Sequence, residues 1–317
     1  MSSDSSIHLL RSQVHFGWNR DNEPLVFVAS GSEVNLETQD ASAGQLTPGS
    51  TAADIANLDF DRVNPVTGPI FVEGAKPGDV LQVELLNVEP GGWGWTAQIP
   101  GFGLLADQFP DPWVHFWSLD GPWAPFRDGI SVPIQPFCGV IGVAPAEPGL
   151  HSVVPPRRVG GNMDIKQMGP GTTLYLPVEV EGALLGVGDT HGAQGDGEVC
   201  GTAIEAAMSV SLRVSVRDDL RIETPEFDVG PLERTSAAKA GYHAVTGIAP
   251  DLMQAARQSI ERMIEYLGSQ YRLDSQAAYA LCSVAVDLKI SEVVDAPNWV
   301  VSAFLPNDIF AATRGKT

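Results

Sequence analysis

The sequence predicts an α+β protein, mainly β, with a β-sandwich-like core over residues 1–216 and a smaller carboxy-terminal α/β portion over 217–317 packed on it. Three observations carry this. Glycine and proline are abundant, 33 and 24 residues, without any repeat, so turns are frequent. The run MSVSLRVSV (208–216) sets Met208, Val210, Leu212, Val214 and Val216 against polar neighbours, the period-two pattern of a strand with one buried face. Clear helical periodicity begins only after residue 250.

VLQVELLNV (80–88) and LYLPVEV (174–180) read as strands, each bounded by Pro or Gly. Residues 91–131 lack clear periodicity and read as a long ordered loop. They carry Trp93, Trp95, Trp113, Trp117 and Trp123, which either wall a pocket or pack the loop onto the sheet. The polar stretch 217–241 reads as an edge between the two portions. DLMQAARQSIERMIEYLG (251–268) is an amphipathic helix with Leu252, Met253, Ala256, Ile260, Met263, Ile264 and Leu267 in its stripe. Asp251 caps its start and Gly268 its end. A second helix is expected over 274–288, and NWVVSAFLP (298–306) reads as a strand.

The formal charge of −20 disfavours nucleic acid and anionic membrane surfaces as partners, and suits a neutral or cationic small molecule. No run approaches the ~20 apolar residues of a membrane helix. The amino terminus has no signal-peptide pattern. Cys138, Cys200 and Cys282 are odd in number and far apart, which argues against a disulfide framework and for a reducing, cytoplasmic compartment.

The chemistry is concentrated in GDTHGAQGDGEVCG (188–201). No G-x-S-x-G elbow, H-E-x-x-H, C-x-x-C or P-loop is present, and the oxygen spacing of an EF-hand is missing. Cys200 reads as a buried inert thiol rather than a nucleophile. Asp189 and His191, two apart, project together if a strand runs through them, and form half of a zinc-type site. Asp196 and Glu198 repeat the spacing, and either completes a metal shell or acts as base. In GGNMDIK (160–166), Asn162 is a candidate oxyanion donor and Asp164 a candidate proton acceptor. The bland alternative stands beside this: Asp and Asn next to Gly are also ordinary turn residues.

These blocks, with HFGWN (15–19), SGSEVNLETQDASAGQ (30–45), NPVTGPIFVEGAKPGDVLQVEL (64–85), IPGFGLL (99–105) and SVAVDLKISEVVD (283–295), resemble the acetamidase/formamidase family over nearly the whole chain. The resemblance implies a β-rich α+β fold, a homo-oligomer and metal-associated hydrolysis of short linear amides to carboxylate and ammonia. It adds His15, Asp40 and Glu73 to the positions of interest. The chain lacks the longer extensions of the formamidase branch, which points to the acetamidase-like branch.

The expected site is therefore as follows. Asp189 and His191, with His15 or Asp40, hold a divalent ion, zinc first and calcium second. Glu198 or Asp164 serves as general base and then as proton donor to ammonia. Asn162 and the Gly160–Gly161 amides hold the oxyanion, while Glu73, Trp93 and Trp95 contact the substrate. The competing expectations are a non-catalytic module that binds a small ligand or cation, and an amidase for a larger amide.

Overall fold

The structure is a computed structural model that describes residues 7–103, 110–127, 130–194, 198, 200–230, 241–273, 286–307 and 310. Asp196, Cys282 and most of the expected second helix lie outside these. The early strands are β1 (Ile7–Leu9), β2 (Val14–His15), β3 (Val26–Val28), β4 (Glu33–Glu37), β5 (Val66–Val72) and β6 (Val80–Pro90). A short helix α1 (Ala52–Ala56) lies between β4 and β5. Then come β7 (Trp93–Gln98), β8 (Trp113–Ser118), β9 (Trp123–Arg127), β10 (Ile130–Pro133), β11 (Phe137–Gly142) and β12 (Gly160–Asn162). The chain continues through β13 (Thr172–Pro177), β14 (Leu185–His191), β15 (Met208–Arg217), β16 (Glu226–Val229) and β17 (Tyr242–Ala249). It closes with helix α2 (Leu252–Tyr271), β18 (Asp287–Glu292) and β19 (Trp299–Pro306).

Two large sheets form the body. One has nine strands in the order β1-β4-β15-β6-β13-β16-β17-β19-β18; the other has six, β12-β11-β14-β5-β2 with β3 beside β5. One apolar core joins them. Leu85, Leu174 and Leu212 from the first sheet share it with Ile70, Ile141 and Val187 from the second. The alternation read in 208–216 holds: Met208, Val210, Leu212 and Val214 are buried, while Ser209 is exposed and Ser211 and Arg213 are partly so. β14 is buried along its whole length, so LGVGDTH reaches the site through the interior. Strands on both sides of residue 217 belong to one sheet, because β16 pairs directly with β13.

Residues 91–131 are not one loop. β7 pairs with β8 from Trp93↔Ser118 to Gln98↔Trp113, and β9 pairs with β10. The period was hidden because WGWTAQ alternates in size rather than in polarity, with glycine between the rings. That glycine is required: a Cβ on Gly94 would come within 2.7 Å of Glu205 O.

Helix α2 starts as expected, with the Asp251 carboxylate accepting from Gln254 N. It runs one turn past Gly268 and ends at Arg272, whose left-handed backbone (φ 57°) returns its N–H to Gly268 O. Its covered face is Ala255, Ser259, Met263 and Leu267, while Met253 is 69% exposed. The buried stripe therefore follows one i, i+4 ridge and takes in a serine, whose hydroxyl donates to Ala256 O at 2.8 Å. The end of the expected second helix is instead strand: Asp287 and Leu288 open β18, the edge of the nine-stranded sheet. No described helix is long and apolar enough to cross a membrane.

The approach of α2 to β17 depends on Gly247, where a Cβ would lie 1.9 Å from Ala255 O and 2.8 Å from Ser259 N. Gly247→Ala should therefore force the helix off the sheet. We expect a loss of about 1–3 kcal/mol in urea unfolding, the usual range for overpacking. An unchanged midpoint would show that the helix is not held at this distance.

Candidate active site

Glycines open the space in which the ionisable groups converge. A Cβ on Gly188 would come within 2.3 Å of Pro65 O, so β14 and the chain before β5 touch through their backbones. In β11, Gly139 lies opposite Asp189, between the Cys138↔Thr190 and Val140↔Gly188 pairs. A Cβ there would meet Asp164 Oδ1 at 2.5 Å and His191 Cε1 at 2.9 Å. Any side chain at 139 would occupy the site itself.

Five carboxyl groups and one imidazole gather there, all buried: Asp164, Asp189, Glu198, Glu205, Asp295 and His191. Asp189 and His191 come from the end of β14, Asp164 from the turn after β12, and Asp295 from the loop between β18 and β19. Glu205 lies in a segment bridged to Trp95 on one side and His191 on the other. His191 Nε2 is 3.4 Å from Asp189 Oδ1 and 3.2 Å from Glu205 Oε2. On the far side of the ring, Nδ1 lies 2.9 Å from Gln194 Oε1, while Gln194 Nε2 donates to Asp164 O at 2.8 Å. That second bond fixes the amide orientation, makes Nδ1 the donor and leaves Nε2 to face the carboxylates.

Two asparagines knit the group together. Asn64 Nδ2 donates to Asp189 Oδ2 at 3.3 Å and lies 3.5 Å from Asn162 Oδ1; Asn162 Nδ2 donates to Asp295 Oδ2 at 2.5 Å. The backbone is held in unusual conformations to do this. Eight described non-glycine residues have positive φ, and four of them, Asn64, Asp164, Asp189 and Glu198, line the same cavity. Left-handed backbone costs roughly 1–2 kcal/mol at most non-glycine residues, least at Asn and Asp. Such conformations concentrate where function fixes side-chain direction.

The cavity measures about 90 Å³. One side is the acidic cluster with Asn64 and Asn162; the other is apolar, built from Leu58, Val63, Trp95, Ile99, Phe102 and Val154. Burial pushes the Asp164 carboxyl up to about 8, and the charge of Asp189 adds to the effect. Burial likewise lifts Glu205 to about 7 despite the neighbouring His191. Glu198 and Asp295 are raised well above the carboxylate range by burial and then by Asp164. Burial alone would favour neutral His191, but the Glu205 and Asp189 charges outweigh it and hold the imidazole pKa well above its usual value.

The donor set fits a metal ion. Three overlapping triads, Asp164/Asp189/His191, His191/Glu198/Glu205 and Asp164/Glu198/Asp295, each place their ligand atoms within 4.8 Å of one another. Asp164 Oδ1, Asp189 Oδ1, His191 Nε2 and Glu205 Oε2 are buried without a hydrogen-bond partner. Buried polar atoms are rarely left in that state unless a ligand or ion meets them.

Of the residues expected from sequence, Asn162, Asp164, Asp189, His191, Glu198 and Trp95 are brought together. Asp40 is beside them but committed elsewhere: its oxygens accept from Ser42 N (3.0 Å), the Ser42 hydroxyl, Gly44 N (3.2 Å) and Trp95 Nε1 (3.0 Å). Its oxygens are thus engaged by its own turn and by the tryptophan. His15 is in none of the three triads; its ring lies edge-on to Trp18 at 5.7 Å. Glu73 is exposed in the turn after β5, and Trp93 packs near Phe116 at 6.1 Å, outside the lining. Gly160 and Gly161 are also outside it, and the Gly160 amide already donates to Arg157 O at 3.0 Å. Burial pushes the Cys138 thiol up to about 12, and Cys200 Sγ lies 3.4 Å from Thr202 O, so neither is poised as a nucleophile.

Sequence reasoning missed Glu205, Asp295, Asn64 and Gln194. The two acids did carry a signal. Each follows a short run of small or apolar residues, TAI and VV, where a carboxylate has little reason to be unless it is buried for use.

A small half-apolar cavity walled by buried carboxyls, two of which contact an imidazole, on a two-sheet scaffold suits a hydrolytic centre able to hold a metal ion. The comparisons give the family. Residues 2–153 and 149–312 match the Acetamidase/Formamidase family. A formamidase from Methylophilus methylotrophus is 29% identical over 94% of this chain and 89% of that protein. An acetamidase from Mycolicibacterium smegmatis is 30% identical over 64% of this chain and 65% of that protein. The crystal structure of an acetamidase from Bacillus halodurans superposes with a TM-score of 0.87 at 34% identity, over 96% of this chain and 99% of that one. A gamma lactamase from Delftia acidovorans gives 0.67 at 31% identity, over 94% and 89%. The chain belongs to the acetamidase/formamidase family and is an amidase-type hydrolase.

His15 has a separate consequence. Both ring nitrogens are buried and unpartnered, and burial lowers its pKa from 6.5 to about 4. Between those values the unfolded chain binds the proton and the folded one does not, so this contribution to stability is present above pH 6.5 and is lost as pH falls toward 4. His15→Gln should flatten the loss of unfolding free energy over that window relative to wild type. Parallel pH profiles for the two proteins would contradict the assignment.

Proposed function

We propose that the chain hydrolyses a short aliphatic amide, of the acetamide or formamide kind, to carboxylate and ammonia with the help of a divalent cation. The observation that carries this reading is the cluster of four unpartnered buried ligand atoms on Asp164, Asp189, His191 and Glu205, whose three acids line a cavity with an apolar opposite wall. Asp189 and His191 are the foremost ligands, and a nitrogen with a carboxylate oxygen suits zinc. The all-oxygen set Asp164/Glu198/Asp295 suits a harder ion such as calcium. When bound, a divalent ion in such a site polarises an amide carbonyl and lowers the pKa of water to about 7.

The chain's own residues do the rest. Gln194 fixes the His191 ring, and Asn64 steadies Asp189. The apolar wall receives the acyl group, and a cavity of about 90 Å³ suits a small molecule. Asn162 gives one amide hydrogen to Asp295 and has a second for the substrate oxygen. Glu198 accepts the proton of the attacking water and returns it to the leaving nitrogen, with Asp164 as the other carboxyl able to hold a proton near neutral pH. A second reading is a larger or cyclic amide: Phe60, 52% exposed, leaves the apolar side open, and one structural relative is named a gamma lactamase.

The test is ammonia release from formamide, acetamide and propionamide. Release should fall on chelation and return with a divalent ion. Glu198→Gln should lower kcat by about 10²–10⁴, the usual contribution of a general base, with a smaller change in KM. Full turnover in Glu198→Gln would remove it from that role. Turnover of a cyclic or aromatic amide alone would favour the second reading.

A further inference from the structure

Asp40 is the buried acid beside the cavity that the proposed reaction leaves without a part. It is 7% exposed, and its oxygens accept from Ser42, Gly44 and Trp95 Nε1. All of these are donors, which fits a carboxylate, a group that only accepts. Its turn reaches both walls of the cavity. Ala41 and Ser42 line it, and Ala41 O accepts from Asn64 N at 2.8 Å, so the residue that steadies Asp189 hangs on the same turn.

Trp95 is the other end of this contact. Of the apolar side chains that line the cavity, Ala41, Trp95 and Ile99 are buried; the rest reach solvent, Phe60 foremost at 52% exposed. Exposed side chains change rotamer within nanoseconds and can turn aside for a longer ligand. Trp95 is 2% exposed and held at three points: its backbone N–H donates to Glu205 O at 2.9 Å, its carbonyl accepts from Glu205 N at 2.8 Å, and its indole N–H donates to Asp40 Oδ1 at 3.0 Å. It is the largest of the buried lining chains, and its backbone is bonded directly to a member of the acid cluster.

We propose that Trp95 sets the longest acyl group the cavity accepts, and that Asp40 is a positioning residue that keeps the indole in that place. Both roles rest on the amide-hydrolysis reading and add to it what selects chain length. A close-packed wall that cannot move rejects a longer chain by overlap. Without the Nε1 bond the ring keeps its backbone tether but can tilt, and longer chains then enter. One methylene in an apolar pocket is worth about 10–200-fold in discrimination, so the effect is large enough to read.

The test is kcat/KM for acetamide, propionamide, butyramide and pentanamide, read as the ratio of pentanamide to acetamide. Wild type should favour acetamide at least about tenfold, and Trp95→Leu should raise the ratio by at least about tenfold. Asp40→Ala should raise it by about fivefold or more. Asp40→Asn, whose side-chain oxygen still accepts from the indole, should stay near wild type. In a Trp95→Phe background, which has no N–H to hold, Asp40→Ala should change the ratio no further. An Asp40→Ala protein that turns over every amide more slowly by the same factor overturns the positioning role, since that is loss of structure alone. Wild type that takes pentanamide as readily as acetamide overturns the role of Trp95 without any variant. If wild type releases ammonia from none of them, the hydrolysis reading fails, and the size limit is read from saturation-transfer NMR binding of the same amides. Pentanamide should then bind Trp95→Leu and not wild type; equal binding, or none to either protein, overturns the proposal. Should Trp95→Leu prove misfolded by circular dichroism, Trp95→Phe, the smaller ring, takes its place.

Discussion

Like charges crowded into a buried space are the constraint on which the rest of this molecule turns. Five carboxyl groups within one cavity wall repel one another, and burial penalises each charged form further. One imidazole cannot balance them. Either protons neutralise most of the acids, as the raised pKa values of Asp164, Glu198, Glu205 and Asp295 describe, or a divalent cation does. The surrounding structure is arranged to keep the acids in place in both cases. Asn64 and Asn162 donate to them, Glu292 accepts from the Val294 and Asp295 amides to shape the loop that delivers Asp295, and Gly139 leaves the volume clear.

The scaffold supplies the rigidity for this. β14 is buried along its length and hydrogen-bonded on both sides, so Asp189 and His191 emerge from a strand that has little freedom to move. Trp95, pinned by Asp40, closes the opposite side. The positive-φ backbone at Asp164 and Asp189 is tolerable because both residues are buried and held by their surroundings.

Much of this was legible in the sequence, and the failures have physical causes. The alternation at 208–216 and the cap at Asp251 depend on local pattern, and local pattern predicted them. Asn162, Asp164, Asp189, His191 and Glu198 were visible because polar groups among glycines stand out. Glu205 and Asp295 were missed: their signal, one acid after the short apolar runs TAI and VV, is weak, and it is the topology that carries them to the site. Asp40 and His15 were expected at the metal and lie outside the three triads. Their residue types suit metal ligation, but Asp40 accepts from its own turn and from Trp95, and the His15 ring packs edge-on to Trp18. The Trp-rich ribbon was misread as loop because glycine and tryptophan alternate without changing polarity.

The central claim is that the acid cluster is balanced by a bound cation. It is tested most directly by measuring thermal unfolding of the chelator-stripped protein against added zinc, manganese and calcium, with the same series on Asp189→Asn. A cation held only by the folded state raises the midpoint with the logarithm of its concentration, and the account predicts that rise for at least one ion in the wild type and a much smaller one in the variant. Midpoints that ignore every ion, in a protein that still releases ammonia, would mean that protons alone balance the cluster and that the hydrolysis needs no metal.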